Sequence, residues 1–251
     1  MSYSSRYLIM YNKHPKFCLL LVCAAIAVAF AACGTNNAVT PSSSTTKIVV
    51  VNTSPDVGPL ALFLNNIQLG GTANTIASRT WFRYSTTPTY YSIGTADSLL
   101  FQLQSYPYKV ISKLSAYHQT KGNTSYSMFI VGIASIDSLA AIFTIDTAAI
   151  PKLGLGKIRF INASPRTPAL DVSINGSAGF TKIAYAKVSN YVTVPAGTYE
   201  FKLTANGLPN SVLNTLSRIT VLDGKLYTLY TKGLVGRTDS AAISMNIITQ
   251  K

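Results

Sequence analysis

The sequence predicts an all-β protein: two tandem β-sandwich domains behind an export signal and a polar tether. Three observations predict it: an internal repeat about one hundred residues long, period-two alternation of apolar residues, and turn residues at regular intervals. The repeat is the strongest. Lys47-Ile-Val-Val-Val-Asn-Thr-Ser-Pro55 matches Lys157-Ile-Arg-Phe-Ile-Asn-Ala-Ser-Pro165. The same offset then aligns Leu60, Leu62, Leu64 and Asn65 with Leu170, Val172, Ile174 and Asn175. Further along, Tyr84 to Pro88 aligns with Tyr191 to Pro195, Tyr126 to Gly132 with Tyr227 to Gly233, and Asp137-Ser138 with Asp239-Ser240. Two copies of this size suit two small domains, because a solenoid needs at least three units. The boundaries follow: 47–150 for the first sandwich, 151–156 for a linker, 157–251 for the second.

Within each copy the elements read as strands. Leu170, Val172 and Ile174 alternate with Asp171 and Ser173, and Tyr199, Phe201 and Leu203 with Glu200 and Lys202, so each strand has a buried and a wet face. Asn175-Gly176 and Asp223-Gly224 suit tight turns that need positive φ, and Pro195-Ala196-Gly197 begins a turn with φ preset by proline. Asn162, Ser164 and Pro165 read as a turn closing the strand before them, since Asn and Ser side chains bond nearby backbone groups. Between Ile136 and Ala149 only short helical turns are expected.

The first 32 residues read as a signal peptide. Arg6, Lys13, His14 and Lys16 precede an apolar run from Phe17 to Ala32, shorter than the roughly 20 residues that span a bilayer. Initiation at Met10 gives the same signal a more compact basic segment. The run ends Phe30-Ala-Ala-Cys33-Gly34, which resembles the lipobox of bacterial lipoproteins, with Phe30 where that family prefers leucine. The resemblance implies lipidation of Cys33, and several acyl chains on one residue anchor far more firmly than one. Residues 33–46 then form a polar, Pro-interrupted tether. No acidic run follows the cysteine. The expected location is therefore the outer membrane of a Gram-negative envelope, on its periplasmic face.

The chain is 48% hydrophobic and 12% charged, which suits a folded protein. All three cysteines lie between Cys18 and Cys33, so the remainder has neither a disulfide framework nor a thiolate metal site. Removing the signal takes three basic residues and no acidic one, lowering the net charge from +13 to +10. The lysines are scattered singly along strands and do not form the dense basic stripe of a nucleic-acid binder. In an envelope, such a surface favours contact with anionic lipid or lipopolysaccharide phosphates.

The second copy resembles a known family. Residues 157–165, Leu170-Asp-Val-Ser-Ile-Asn-Gly176 and Tyr191-Val-Thr-Val-Pro-Ala-Gly-Thr-Tyr199 together look like the signature of the bacterial domain of unknown function 4397. The first copy matches more loosely, with Ala61 at the position of Asp171 and Asn66 at that of Gly176. The resemblance implies immunoglobulin-like sandwiches in an exported protein and implies no activity.

Catalytic chemistry has few carriers in the mature chain. His118 is its one histidine and Glu200 its one glutamate. His118 reads as an exposed hairpin residue, no cluster of metal ligands is visible, and no phosphate loop precedes a helix. No cofactor and no metal are expected. The candidate ligand-binding residues are the aromatics Trp81, Tyr84, Tyr90 and Tyr91, read as an exposed face of the first domain, and Asp171, which the resembling family favours as an acid. Aromatic density continues at Tyr106, Tyr108 and Tyr117. Four Asp-hydroxyl-apolar triplets place Ser98, Ser138, Thr147 and Ser240 in a pattern similar to the O-glycosylation acceptor of one bacterial phylum. The functional expectation is a non-enzymatic binding, adhesion or scaffolding module with an envelope glycan or protein partner. The alternatives are an envelope glycan hydrolase or a structural spacer.

Overall fold

The continuous apolar runs Ile48 to Val51 and Met128 to Val131 cannot lie on a sheet with one wet face, because alternate side chains point to opposite sides. Both faces of these strands are buried, and that determines the architecture. The computed structural model describes residues 46–70, 81–84, 87–105 and 109–250. Cys33, the segment read as a signal peptide and most of that read as a tether lie outside them, as do Tyr106 and Tyr108.

The first copy contributes β1 (Lys47–Asn52), β2 (Leu60–Leu64), β3 (Ile67–Gln68), β4 (Tyr90–Ser92), β5 (Ala96–Ser105), β6 (Lys109–Val110), β7 (Ala116–Thr120), β8 (Ser125–Val131) and β9 (Ala140–Ile145). They form one sheet in the order β4-β1-β8-β9 and a second in which β3, β2, β5 and β6 run side by side and β7 also pairs with β5. The second copy contributes β10 (Leu155–Ile161), β11 (Leu170–Ile174), β12 (Ser177–Ile183), β13 (Val192–Pro195), β14 (Gly197–Ala205), β15 (Val212–Val221), β16 (Leu226–Lys232) and β17 (Ser244–Gln250). Its sheets are β13-β10-β16-β17 and β12-β11-β14-β15. The protein is all-β, as expected. Strand β10 starts inside the segment read as linker, and β9 occupies part of the stretch read as short helical turns.

Each copy closes over its own core. Ile48, Leu62, Phe101, Leu103 and Met128 fill the first, and Ile158, Phe160, Leu170, Phe201 and Leu229 the second. A third apolar cluster joins the copies: Val49, Val51, Phe129 and Val131 meet Ile161, Ala163, Tyr230 and Ile248. The residues of β1 and β8 that do not face the first core face the second copy instead. Four sheets therefore stack in series, with the two central ones buried on both faces, and all described residues belong to one compact unit.

The central strands β1 and β8 pair in parallel, as do β10 and β16. All four start at the end of the fold where the chain enters at Thr46, and their following loops meet at the opposite end. Local details repeat. The Tyr126 and Tyr227 hydroxyls each accept a hydrogen bond from a backbone N–H five residues upstream, Lys121 and Leu222, both at 2.9 Å, the tyrosine-corner arrangement of immunoglobulin-like sandwiches. Asn65 and Asn175 open two-residue hairpin turns with positive φ at both central residues. Their Oδ1 atoms accept from the N–H groups of Leu100 and Glu200 at 2.9 and 2.8 Å. Asn66 replaces Gly176 without altering the turn, because Asn tolerates the left-handed region.

One alignment is corrected. Strand β4 pairs Ile48 with Tyr91, as β13 pairs Ile158 with Val192, so the counterpart of Tyr191 is Tyr90 and not Tyr84. The loop between β2 and β4 is longer in the first copy, which moves the match by six residues.

After β8 and β16 the chain reverses at Gly132 (φ +100°) and Gly233 (φ +80°). A Cβ at Gly132 would lie 2.1 Å from the Ser138 carbonyl oxygen, and one at Gly233 2.3 Å from that of Ala242. Gly132→Ala and Gly233→Ala are each expected to destabilise the fold by more than about 2 kcal/mol, from left-handed strain plus backbone collision. Chemical denaturation measures this, and a loss under about 0.5 kcal/mol, the range of an ordinary surface change, would contradict it.

Candidate functional site

The aromatic segment does not form one exposed face. Phe82 is buried in the first core, and Tyr91 packs on it edge-on, with ring centroids 5.6 Å apart. Tyr84 lies half-buried at the junction of the copies, its ring beneath the Lys232 ammonium at 5.2 Å. Its hydroxyl is buried without a hydrogen bond among the described residues. Burial, then the charge of Asp239, pushes its phenol pKa up. Trp81 is half-buried and Tyr117 exposed. Asp171 is a structural acceptor: its carboxylate takes the Lys182 N–H at 2.6 Å and the Asn206 side-chain amide at 3.1 Å. It pins the positive φ of Lys182 in β12. Ser98, Ser138, Thr147 and Ser240 are all at the surface, though the Ser138 hydroxyl is turned back onto Ile133.

Tyr90 belongs to a buried polar network that crosses from one copy to the other. Its hydroxyl donates to Asp146 Oδ2 at 2.6 Å, and Ser127 donates to the same oxygen at 2.6 Å. Asp146 Oδ1 receives Arg159 Nη2 at 2.5 Å, and both side chains are almost wholly buried. Arg159 makes three further hydrogen bonds: Nη2 also donates to Thr144 Oγ1, Nη1 to the Ile145 carbonyl and Nε to Thr228 Oγ1, at 2.8 to 2.9 Å. Its guanidinium lies 5.2 Å from the centre of the Tyr191 ring. The Tyr191 hydroxyl donates to Gln250, whose amide donates to Thr228. Burial, then the neighbouring Asp146 carboxylate, pushes the Tyr90 phenol far above its ordinary pKa. Arg159 stands where the first copy has Val49, and that substitution is the signal in the sequence. Asp146 was legible only as part of a glycosylation triplet.

The remaining ionisable groups are also committed to structure. His118 stacks on Phe143 with ring centroids 4.0 Å apart and meets Phe101 edge-on. It is half-buried, not an exposed hairpin residue. Burial lowers its pKa below 6.5. As pH falls through the unfolded value, the unfolded chain binds a proton that the folded one resists, so stability is present above that value and declines on acidification. His118→Gln is expected to flatten the slope of unfolding midpoint against pH between pH 7 and 5, and an unchanged slope would assign the decline to other groups. Glu200 pairs with Lys202 at 3.0 Å on the surface. Among the described residues, no three His, Cys, Asp or Glu side chains group to hold a metal ion.

Two clefts open at the end of the fold away from Thr46, and Asp56 lines both. One, of about 390 Å³, lies within the first copy among Asp56, Ser105, Lys109, Ser112, Lys113 and Asp137. The other, of about 300 Å³, lies where the copies meet, among Asp56, Ile133, Arg166, Leu234 and Arg237. The Asp56 carboxylate accepts the backbone N–H groups of Ala134 and Ser135 at 2.7 and 2.8 Å. Burial alone would raise its pKa, and these bonds outweigh that and hold it below 3.8. Lys113 pairs with Asp137, and Arg237 with Asp239. Trp81, Tyr84, Tyr90 and Tyr91 line neither cleft. The sequence does carry a mark here, since Asp56 and Arg166 are opposite charges at matched positions of the repeat.

A family model, the domain of unknown function 4397, matches the chain twice, over residues 46–173 and 156–249. Among solved structures, the chain is similar to CBMbc, of family CBM26, from Amy13K of Eubacterium rectale, solved with maltoheptaose. The identity is 10% and the TM-score 0.28, over 82% of this chain and 96% of that one. It is also similar to a "putative cell adhesion protein" of Bacteroides uniformis, at 12% identity and TM-score 0.23, over 84% and 98%. A like-named protein of Bacteroides eggerthii matches at 10% and 0.23, over 82% and 95%. Scores this low say nothing about what this chain binds. No curated protein matches its sequence.

Proposed function

The chain belongs to the family of the domain of unknown function 4397, and from that premise we propose that it is a lipid-anchored, non-enzymatic binding module of a Gram-negative envelope. It sits on the periplasmic face of the outer membrane through Cys33. Its partner, an envelope glycan or protein, occupies the clefts at the end of the fold opposite the tether. The observation that carries this reading is the placement of both charged clefts among loops that follow the four central strands, while the chain enters at the other end. Clefts of this size, with charged and polar groups set among apolar side chains, suit a polar ligand. A non-enzymatic role is supported by the structural engagement of the acids and the histidine: His118 stacks on Phe143, Asp146 is buried against Arg159, and Glu200 pairs with Lys202 at the surface.

Cross-linking in native cells followed by mass spectrometry tests the reading. Lys109→Glu and Arg237→Glu, each on the wall of one cleft, are expected to lower partner recovery about tenfold, equivalent to 1.4 kcal/mol, with protein level and melting temperature unchanged. Equal recovery by wild type and both variants would remove the clefts as the binding site. Glycosylation at Ser98, Ser138, Thr147 or Ser240 belongs to the same proposal. An intact mass equal to lipid plus polypeptide would exclude it.

A further inference from the structure

The end of the fold where the chain enters carries a surface unlike the cleft end. Thr46 Oγ1 donates to the Lys121 carbonyl at 2.8 Å, and the Lys47 N–H to that of Thr124 at 3.0 Å. Thr147 Oγ1 accepts from Ser125, placing the start of the inter-copy segment beside that turn. Lys157 Nζ then donates to the Ala149 carbonyl at 2.7 Å, and its N–H to the Lys225 carbonyl at 3.0 Å. Gly154 closes the ring by donating to Asp223 Oδ1 at 2.7 Å. These contacts gather Lys47, Lys121, Lys152, Lys157 and Lys225 around one end. None of the five forms an ion pair among the described residues. Asp223, the acid in this ring, has one carboxylate oxygen engaged by Gly154.

Apolar side chains stand among these lysines. Leu153 is 92% exposed and Ile150 85%, the two most exposed large apolar residues among those described, and Ile145 and Leu222 are exposed beside them. Exposed leucine and isoleucine at a loop tip, ringed by lysine, are the composition of an interfacial membrane contact: lysines attract lipid phosphates and apolar tips enter the boundary of the acyl chains. The alternative of a nucleic acid or soluble polyanion explains the lysines and leaves Leu153 and Ile150 without a role.

We infer that this end is a docking face for an anionic phospholipid bilayer, with Leu153 and Ile150 inserting and the five lysines contacting headgroup phosphates. The position of the chain's entry supports the choice of occupant. Thr46 is thirteen residues beyond Cys33, a stretch that can span no more than about 45 Å, so on the lipidation reading above this face is the part of the fold nearest the anchoring bilayer. Seated this way, the module holds both clefts away from the membrane. The lipid chain supplies attachment, and the lysine and leucine face supplies orientation.

The test uses the mature chain with Cys33→Ser, so that its outcome is separate from lipidation, which is read independently from the amino-terminal mass of the native protein. The unlipidated chain is expected to sediment with vesicles of phosphatidylcholine and phosphatidylglycerol in equal parts and not with phosphatidylcholine alone. Lys152→Glu combined with Lys225→Glu, and separately Ile150→Ser combined with Leu153→Ser, are each expected to reduce that binding at least about tenfold at unchanged melting temperature. Lys109→Glu, at the cleft end, is expected to bind as the parent does. Absence of binding to the anionic vesicles, full binding by the Ile150 and Leu153 variant, or complete competition by inorganic phosphate would overturn the inference.

Discussion

Arg159→Leu is expected to destabilise the fold by about 3–5 kcal/mol, because it leaves the Asp146 carboxylate buried without its counter-charge. The variant also removes donors from Thr144, Thr228 and the Ile145 carbonyl. Asp146→Val combined with Arg159→Leu is expected to recover part of the loss. The double variant buries no charge, but Tyr90 and Ser127 still lose their acceptor, and an orphaned buried hydroxyl costs about 1–3 kcal/mol. Equilibrium denaturation of the wild type, Arg159→Leu, Asp146→Val alone and the double variant completes the cycle. A loss under about 1 kcal/mol for Arg159→Leu, the size of an exposed pair, would mean that water reaches this network and that it does not lock the copies together.

At high salt, which screens the lysine face, Cys33→Ser is expected to move the protein from the membrane fraction to the soluble periplasmic fraction nearly completely, with loss of the acyl mass from its amino terminus. A weak face of lysines and two apolar tips cannot hold a protein as several acyl chains do, since each buried methylene adds about 0.8 kcal/mol. Retention of most Cys33→Ser protein on membranes at high salt would contradict lipid anchoring.

What the sequence made legible was local. Alternation in Leu170 to Ile174, the Asn175-Gly176 turn and the Asn162 turn all have short-range causes, a two-residue period and side chains that bond their own backbone, and each stands in the structure as read, except that the Ser164 hydroxyl is buried without a hydrogen bond among the described residues. The missed features are long-range. Val49, Val51, Phe129 and Val131 were visible as apolar, but which face they served depended on a second copy about one hundred residues away. The polar network joins Tyr90, Asp146, Arg159, Tyr191 and Gln250, whose separations carry no periodic trace. Only the replacement of Val49 by Arg159 within an otherwise apolar block hinted that a charge had been buried. Tyr90 and Tyr91, grouped with Trp81 by density alone, have separate roles because neighbouring residues of a strand face opposite sheets. The clefts were missed for the same reason: their walls come from loops that only the parallel pairing of β1 with β8 and β10 with β16 brings together.

The tandem copies forming one body, not two sandwiches on a string, is the claim on which the orientation of both ends depends. Denaturation followed with two probes tests it most directly: the fluorescence of Trp81, the only tryptophan, for the first copy, and hydrogen exchange of the β16 amides for the second. The shared core and the Asp146–Arg159 network predict coincident midpoints for the two copies, and Arg159→Leu should shift both together. Two separate transitions, with only the second copy responding to Arg159→Leu, would contradict it.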